Sequence, residues 1–441
     1  MKEDINRKLL KRSVAEVIVE EELIKLLNTG RSLRLKMGFD PSAPDLHMGH
    51  AVGLRKLRQF QEMGHQVVVI VGDWTAQIGD PSGQSVTRPV LTADQVNRNA
   101  ETYLEQFFRI VHKDRTEVRM QSEWFGNFSL TEVINLTSRF TIAQFLARDD
   151  FSKRFESNQP IAITELLYPL LQAYDSVAVK SDVEFGGTDQ KFNLLVGREL
   201  QGMMGQISQQ LVMVPILPGT DGVRKMSKSL GNYISLDDSP NDMYGKTMSI
   251  PDALISVYFE YLTDISDIDL EEIEGCLNSG TINPMDLKKK LANALVSQFH
   301  DFESAQNAES YFRDIVQRGN LPNEIEEVTI EKDRIKTIGD FQITQIFLDF
   351  GLKIESGVYV SESQKFNVFI GDLAVDITHL MHNIGLASSI REARSLLGQG
   401  SISIDGRKIN SDHDGQQMVI GLRNGSVIQR GTRKFKRIKL V

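Results

Sequence analysis

LRLKMGFDPSAPDLHMGHAVGLRKLRQFQEMGHQVVVIV, residues 33–71, reads in turn as strand, helix and strand. Leu33 to Phe39 is a short, mostly apolar run suited to a strand. Over Gly49 to Met63 the side chains Ala51, Leu54, Leu57 and Phe60 recur about one turn apart, which predicts a helix, and Gly64 ends it. Val67 to Val71 is apolar at every position, as a buried strand is. A strand–helix–strand unit of this kind implies a parallel sheet with right-handed crossovers. Further strands are expected at Val183–Phe185 and Leu211–Leu217. The fold class is therefore α/β, with a parallel-sheet domain over 1–235.

Beyond that domain the pattern turns helical and acidic, over 236–325; residues 251–340 carry a net charge of −11. Leu321-Pro322 marks a terminator, and 326–372 reads as a connecting segment. Residues 373–441 form a small α+β module. Helices fit Asp376–Ile384 and Ile390–Leu397, the second opened by Ser389 with Glu392 three residues on, a capping box. Ser401–Ile404 alternates as a strand, and Asp405-Gly406 is a hairpin turn. At the other end of the chain, residues 8–28 have the periodicity of one amphipathic surface helix.

The 441 residues carry 50 Lys and Arg against 59 Asp and Glu, a formal charge of −9. That total argues against a nucleic-acid partner only if the charge is evenly spread, and it is not. Residues 381–441 hold a net +7, leaving −16 on the rest. A single cysteine, Cys276, excludes an internal disulfide and zinc sites made of several thiolates, and fits a reducing, intracellular compartment. The N-terminus mixes both charge signs and lacks the apolar core of a secretory signal. No run is long enough to span a bilayer. The expectation is a cytoplasmic protein without a membrane partner.

Five constellations carry chemistry. His47-Met48-Gly49-His50 sits between a strand and a helix N-terminus, where free N–H groups and the dipole favour phosphate; two imidazoles there can donate to a triphosphate, and Gly49 lets a flat base approach the backbone. Lys225-Met226-Ser227-Lys228-Ser229 follows a glycine-bearing loop, and two ammonium groups three residues apart can clamp a leaving pyrophosphate. Tyr168, Gln172 and Asp175 share one face of a leucine-rich helix, where a buried carboxylate and amide need partners. Those partners are either neighbouring backbone or a polar ligand with a hydroxyl. Gly186-Gly187-Thr188-Asp189-Gln190 follows a strand and permits close nucleotide approach. Gly79-Asp80-Pro81-Ser82-Gly83 has turn composition.

HMGH and KMSKS in this order, about 175 residues apart, resemble the two signature motifs of class I aminoacyl-tRNA synthetases. That resemblance implies a Rossmann-type catalytic domain that activates an amino acid with ATP. The Tyr168–Gln172–Asp175 helix is similar to the tyrosine-binding helix of the tyrosyl members, which implies tyrosine–tRNA ligase activity. By the same resemblance His47, His50, Lys225 and Lys228 are catalytic, and Gly49, Gly187, Asp189 and Ser229 join them around ATP. Tyr168, Gln172, Asp80, Thr75 and Gln190 hold the amino acid's ammonium and carboxylate groups, Asp175 holds its phenol, and Arg88 serves the tRNA acceptor end or the phosphates.

Magnesium would arrive with ATP, without a dedicated protein-bound metal. The tryptophanyl enzymes and a non-catalytic RNA-binding protein on the same scaffold are the competing readings. The sequence departs from the tyrosyl pattern at Lys36, where many members have a tyrosine that shares the phenol contact. Either Lys36 meets the substrate differently, or Asp175 acts with another donor. The stretch Ile384–Asp405 resembles a ribosomal-protein-like RNA-binding module found at the end of many bacterial tyrosyl enzymes. Arg391, Arg394, Arg407, Lys408 and the basic tail after Arg433 would neutralise tRNA phosphates. A homodimer is the family expectation.

Overall fold

The computed structural model describes residues 8–41, 45–80, 92–318, 321–322, 325–330, 353–355, 358–360, 365–366, 373–409, 419–431 and 434–441. The chain divides into two compact units, Met1–Ala308 and Glu309–Val441.

The first unit is built on six strands: β1 (Glu16–Ile18), β2 (Arg34–Phe39), β3 (Gln66–Val71), β4 (Thr116–Met120), β5 (Val183–Gly187) and β6 (Gln210–Val214), in the order β1-β6-β5-β2-β3-β4. All neighbours pair parallel except β1 on β6. Val67, Val68, Val69 and Ile70 of β3 are buried on both faces, which is why this strand shows no polar alternation. The strands run outward from β2 in both directions, through β3 to β4 and through β5 to β6. The strand order therefore reverses between β2 and β5, and in open α/β sheets the crevice at such a reversal is where ligands bind.

The single amphipathic helix expected over 8–28 does not form. Ser13 adopts a left-handed backbone with φ 51°, and its N–H and hydroxyl bond to Glu260. Glu16–Ile18 then pairs antiparallel with β6 as an edge strand. Glu20–Asn28 forms a separate helix (α1), burying Leu23, Ile24 and Leu27. The open edge of β6 offers unpaired backbone groups, and pairing there outweighs a helical propensity worth only tenths of a kcal/mol per residue. The sequence does not announce β4 either: Thr-Glu-Val-Arg-Met is half-exposed at the opposite edge and lacks an apolar signature.

Helix α2 (Met48–Glu62) crosses from β2 to β3 as its spacing predicts. Helix α3 (Ile163–Val179) leads into β5, and α4 (Lys191–Met203) follows it and packs on α3. The acidic segment after β6 is helical as expected, with Pro240–Met248, Ile255–Leu262, Asp267–Ser279 and Pro284–Phe299. Ser239, Ser266 and Asn283 cap three of these with side-chain oxygens on free backbone N–H groups. Among the described residues no helix is long and apolar enough to cross a membrane.

The second unit has a five-stranded sheet from β7 (Glu327–Ile330), β8 (Ile402–Ile404), β9 (Arg407–Ile409), β10 (Val427–Arg430) and β11 (Lys434–Leu440), in the order β9-β8-β10-β11-β7. Helices α5 (Ile377–Asn383) and α6 (Ile390–Gly398) share its core through Ile377, Leu380, Leu397, Ile402, Ile428 and Ile438. Ser389 accepts the Glu392 N–H at 3.1 Å as the capping pattern requires. The Glu392 carboxylate instead takes the Ser388 N–H and hydroxyl. Asp405 and Gly406 both take positive φ, 48° and 77°, which is the backbone of a tight hairpin turn between β8 and β9. β7, read from sequence as part of a connecting segment, pairs parallel with β11.

Candidate active site

A cavity of about 480 Å³ lies over the carboxyl ends of β2 and β5, at the strand-order reversal. Its wall includes His47, Gly49, His50, Thr75, Asp80, Tyr168, Gln172, Asp175, Gly187, Asp189, Gln190, Lys225, Lys228 and Ser229. Residues spread over more than 180 positions are thus gathered by the ends of four parallel strands and the helices between them.

The two histidines are built into the start of α2. His47 is its N-cap, in extended conformation, and accepts the Gly49 N–H through Nδ1 at 3.2 Å. His50 Nδ1 accepts the His47 N–H at 3.2 Å. With each Nδ1 engaged as an acceptor, the neutral rings carry their protons on Nε2. Burial, assisted by the His50, Lys228 and Lys225 charges, pushes His47 down to about 2. Burial and Lys228 push His50 down to about 4. Both are therefore neutral Nε2–H donors at physiological pH. A side chain on Gly49 would press on the His47 ring, 2.9 Å from its Cε1 and Nδ1.

Across the cavity the Lys225–Ser229 segment is anchored by Met226, which is buried, and by Asn232. The Asn232 side chain accepts the Ser227 N–H at 2.9 Å and donates to the Lys225 carbonyl at 3.1 Å. Lys225 Nζ lies 3.4 Å from Asp189, and Lys228 Nζ lies 3.7 Å from Asp45. These are long pairs, from which an incoming phosphate can draw the ammonium groups.

The deep end of the cavity is organised by α3. Tyr168, Gln172 and Asp175 share one face of it. Tyr168 donates to Asp40 Oδ2 at 2.8 Å, and Thr75 donates to Asp40 Oδ1 at 2.6 Å. Gly72 is required beneath this pair, because a Cβ there would collide with Asp40 Oδ1 and Thr75 Oγ1. Asp175 is 2% exposed and accepts from Gln121 Nε2 at 2.9 Å and Trp124 Nε1 at 3.2 Å. Burial pushes its carboxyl up to about 7, against the opposing pull of Lys36 and of the Gln121 hydrogen bond. Gln190 donates to Asp80 Oδ2 at 2.7 Å. Gln172 Oε1 is buried with no hydrogen-bond partner among the described residues, so an acceptor stands waiting on the cavity wall.

The family model described as "tRNA synthetases class I (W and Y)" matches residues 28–317. The chain belongs to this family. Similar full-length synthetases include the "Tyrosine--tRNA ligase" of Dehalococcoides mccartyi strain CBDB1, 53% identical over 97% of each chain. That of Moorella thermoacetica is 45% identical, over 98% of this chain and 95% of its own. Among solved structures, tyrosyl-tRNA synthetase from Archaeoglobus fulgidus complexed with L-tyrosine is 25% identical. It covers 69% of this chain and 99% of its own, with a TM-score of 0.56.

Within this synthetase site, sequence reasoning missed Asp40, Asp45, Gln121 and Trp124. Asp40 was within reach, since an acidic residue just past the carboxyl end of a central parallel strand sits where such folds bind ligands. Gln121 and Trp124 had no signal, because β4 has no apolar pattern. Arg88 lies outside the described residues. In the second unit Arg391, Arg394, Arg407 and Lys408 are all exposed.

Proposed function

We infer that the protein is a tyrosine–tRNA ligase, which joins tyrosine to ATP as tyrosyl-adenylate with release of pyrophosphate, then passes tyrosine to the 3′ end of its tRNA. The observation that carries this reading is Asp175: a buried carboxylate at the closed end of the cavity, braced by two donors. A carboxylate has acceptor sites beyond the two already filled, and a phenol hydroxyl is the group that supplies the missing donor. A phenylalanine ring would leave that capacity unmet, and rejection by an unpaired polar group is the established basis on which tyrosyl enzymes discriminate without editing.

The chemistry needs no protein nucleophile. The tyrosine carboxylate attacks the ATP α-phosphorus, the bond to the bridging oxygen breaks, and pyrophosphate leaves with that electron pair. Gln172 Oε1, Asp80 and Tyr168 are assigned to the tyrosine ammonium, and Gln190 and Thr75 to the same end of the molecule. Asp189 is assigned to the ribose, with Gly187 allowing close approach. The His47 and His50 Nε2–H groups stabilise the triphosphate as charge develops. Lys225, Lys228 and Ser229 leave their resting partners to hold the β- and γ-phosphates. Magnesium enters as part of the MgATP substrate.

The segment 236–325 and the 373–441 module are assigned to tRNA, the latter through Arg391, Arg394, Arg407 and Lys408. A cytoplasmic homodimer is the expected form. Leu130, Ile134, Ile142, Phe155 and Ile163 are large apolar side chains left exposed on the first unit, and burial between two copies would remove them from water.

The test is ATP–pyrophosphate exchange measured with each amino acid in turn. Exchange driven by tyrosine is the expected result. Exchange driven by tryptophan alone would move the protein to the other branch of its family. No exchange with any amino acid, alongside intact tRNA binding, would make it a binding protein on a synthetase scaffold.

A further inference from the structure

Lys36 is the one cation among the described residues that is fully buried at the heart of the sheet, and the adenylate chemistry does not use it. It stands on β2, 0% exposed, and is absent from the cavity wall although Met37 and Gly38 beside it line it. Its ammonium donates three hydrogen bonds, each 2.8 Å long: to the Gln172 carbonyl, to Ser176 Oγ and to Glu184 Oε1. The three acceptors complete the donor capacity of a lysine. Lys36 therefore faces away from any ligand, towards the back of the helix that forms the amino-acid pocket.

The partner side of the network is equally closed. Glu184, on β5 and 1% exposed, also accepts from Ser176 Oγ at 3.1 Å and from the Gln209 amide. Gly197 of α4 makes room for it, since a Cβ there would lie 3.0 Å from Gln209 Nε2 and 3.2 Å from Glu184 Oε2. A buried ion pair of this kind is not an efficient way to stabilise a fold, because desolvation offsets most of its attraction. Its placement points to another use. Gln172 and Ser176 lie on the same turn of α3 as Asp175 and flank it.

We propose that Lys36 is a positioning residue for recognition of the substrate hydroxyl: it pins the turn of α3 that carries Gln172 and Asp175, and sets a buried positive charge behind the Asp175 carboxylate. This rests on the tyrosine–tRNA ligase reading and names how that site gains its selectivity. The charges facing Asp175 are Lys36 from β2 and Glu184 from β5, with Asp40, Asp80 and the Tyr168 phenol around the cavity. Lys36 is the only cation in that set. Lys36 lowers the Asp175 carboxyl and Glu184 raises it, both against the larger effect of burial. The phenol–carboxylate hydrogen bond is strongest when the acceptor is ionised, so the network sets how fully the site is charged near neutral pH.

The test is tyrosine- and phenylalanine-driven ATP–pyrophosphate exchange with the full chain, from about pH 5 to pH 9. The double variant Lys36→Met/Glu184→Gln removes both charges together, so neither is left buried alone. Its KM for tyrosine should rise about fivefold at pH 7, since a one-unit rise from about 7 cuts the ionised fraction there from about one half to about one tenth, with kcat changing less. Its tyrosine-over-phenylalanine ratio in kcat/KM should fall by a similar factor, and the pH midpoint of its tyrosine KM should move up. Glu184→Gln alone removes the charge that raises Asp175 and keeps Lys36 on the Gln172 carbonyl and Ser176 Oγ, so it should move that midpoint down. Opposite movements separate this role from general damage to packing. Unmoved midpoint and selectivity in a folded double variant, or both variants shifting the same way, would overturn the proposal. If the double variant does not fold, Glu184→Gln decides by itself: a downward midpoint supports, any other result overturns. A wild-type chain active with tyrosine beside unmoved variants overturns this inference only, whereas a wild-type chain inactive with tyrosine removes the functional reading and this one with it.

Discussion

Gln121 donates from Nε2 to Asp175 Oδ2 at 2.9 Å, while its Oε1 accepts the Thr75 N–H at 3.0 Å and the Trp74 N–H at 3.3 Å. One amide thus holds both ends of the pocket. Its orientation is fixed because only the NH₂ end can face a carboxylate, and only the oxygen can take two donors. Gln121→Leu should keep the volume and lose both functions. Leaving buried partners unpaired costs on the order of 1–3 kcal/mol, so kcat/KM for tyrosine should fall about 10- to 100-fold. Selectivity against phenylalanine should fall with it, because phenylalanine never used the Asp175 end. Exchange kinetics with the two amino acids check this; an equal loss for both would show that Gln121 only supports the fold.

Asp175→Asn tests the same carboxylate through stability. The folded protein raises Asp175 to about 7 from the ordinary value of 3.8. Between those values the folded chain keeps a proton that the unfolded chain has lost, so this group's contribution is present at low pH and is lost as pH rises to about 7. Asparagine cannot titrate. The Tm of the variant relative to wild type should therefore climb between about pH 4 and pH 7 and level off above, by several degrees. Thermal melts across that range check the slope. A constant offset between the two proteins would show that Asp175 is not raised.

How much of this was open to the sequence follows from how each residue reaches the site. His47, His50, Lys225 and Lys228 sit in contiguous strings whose chemistry is local, a helix start and a loop. Tyr168, Gln172 and Asp175 share one helix face, so spacing alone groups them. Asp40, Gln121 and Trp124 meet them only because the parallel strands β2 and β4 have their carboxyl ends on the same side of the sheet, and β4 carries no apolar pattern to announce it. Lys36 reads as a departure from the tyrosyl pattern. In the structure Lys36 bonds to the Gln172 carbonyl, Ser176 and Glu184, while Asp175 accepts from Gln121 and Trp124. The N-terminal segment misled for a related reason, since the edge of β6 that captures Glu16–Ile18 is formed some 190 residues later.

The histidine geometry predicts which replacements survive. Nδ1 of His50 is committed to the His47 N–H, leaving Nε2–H for the phosphates. A glutamine amide reaches the Nε2 position and an asparagine amide the Nδ1 position. His50→Gln should therefore retain more activation than His50→Asn, and His50→Ala should lose about 10²–10³-fold in kcat, as for loss of one preorganised donor. Because burial holds His50 at about 4 and His47 at about 2, no histidine titration should appear in kcat between about pH 6 and pH 8. Single-turnover adenylate formation across that interval, at tyrosine concentrations that saturate the site at every pH, checks both points. A fall in rate on acidification near pH 6.5 would mean the rings are ordinary, solvated imidazoles.

The charge asymmetry of the chain gives the remaining prediction. The formal −9 conceals a +7 block at residues 381–441. Arg391 and Arg394 are exposed on α6, and Arg407 and Lys408 are exposed just after the β8–β9 turn. Arg430, by contrast, is spent inside the module, on the Leu386 carbonyl at 2.6 Å and Glu392 at 2.8 Å. The two groups should behave differently. If Arg391 and Arg394 each meet a tRNA phosphate, replacing both with alanine should lower the slope of log K against log salt by about 1.4–1.8, at roughly 0.7–0.9 per contact. Arg430→Ala should instead lower the melting temperature of the module, since it removes an internal partner from a carbonyl and a carboxylate. Filter binding over a salt series, with melts of both variants, checks the pair. An unchanged slope in Arg391→Ala/Arg394→Ala would place the tRNA contacts elsewhere on the chain.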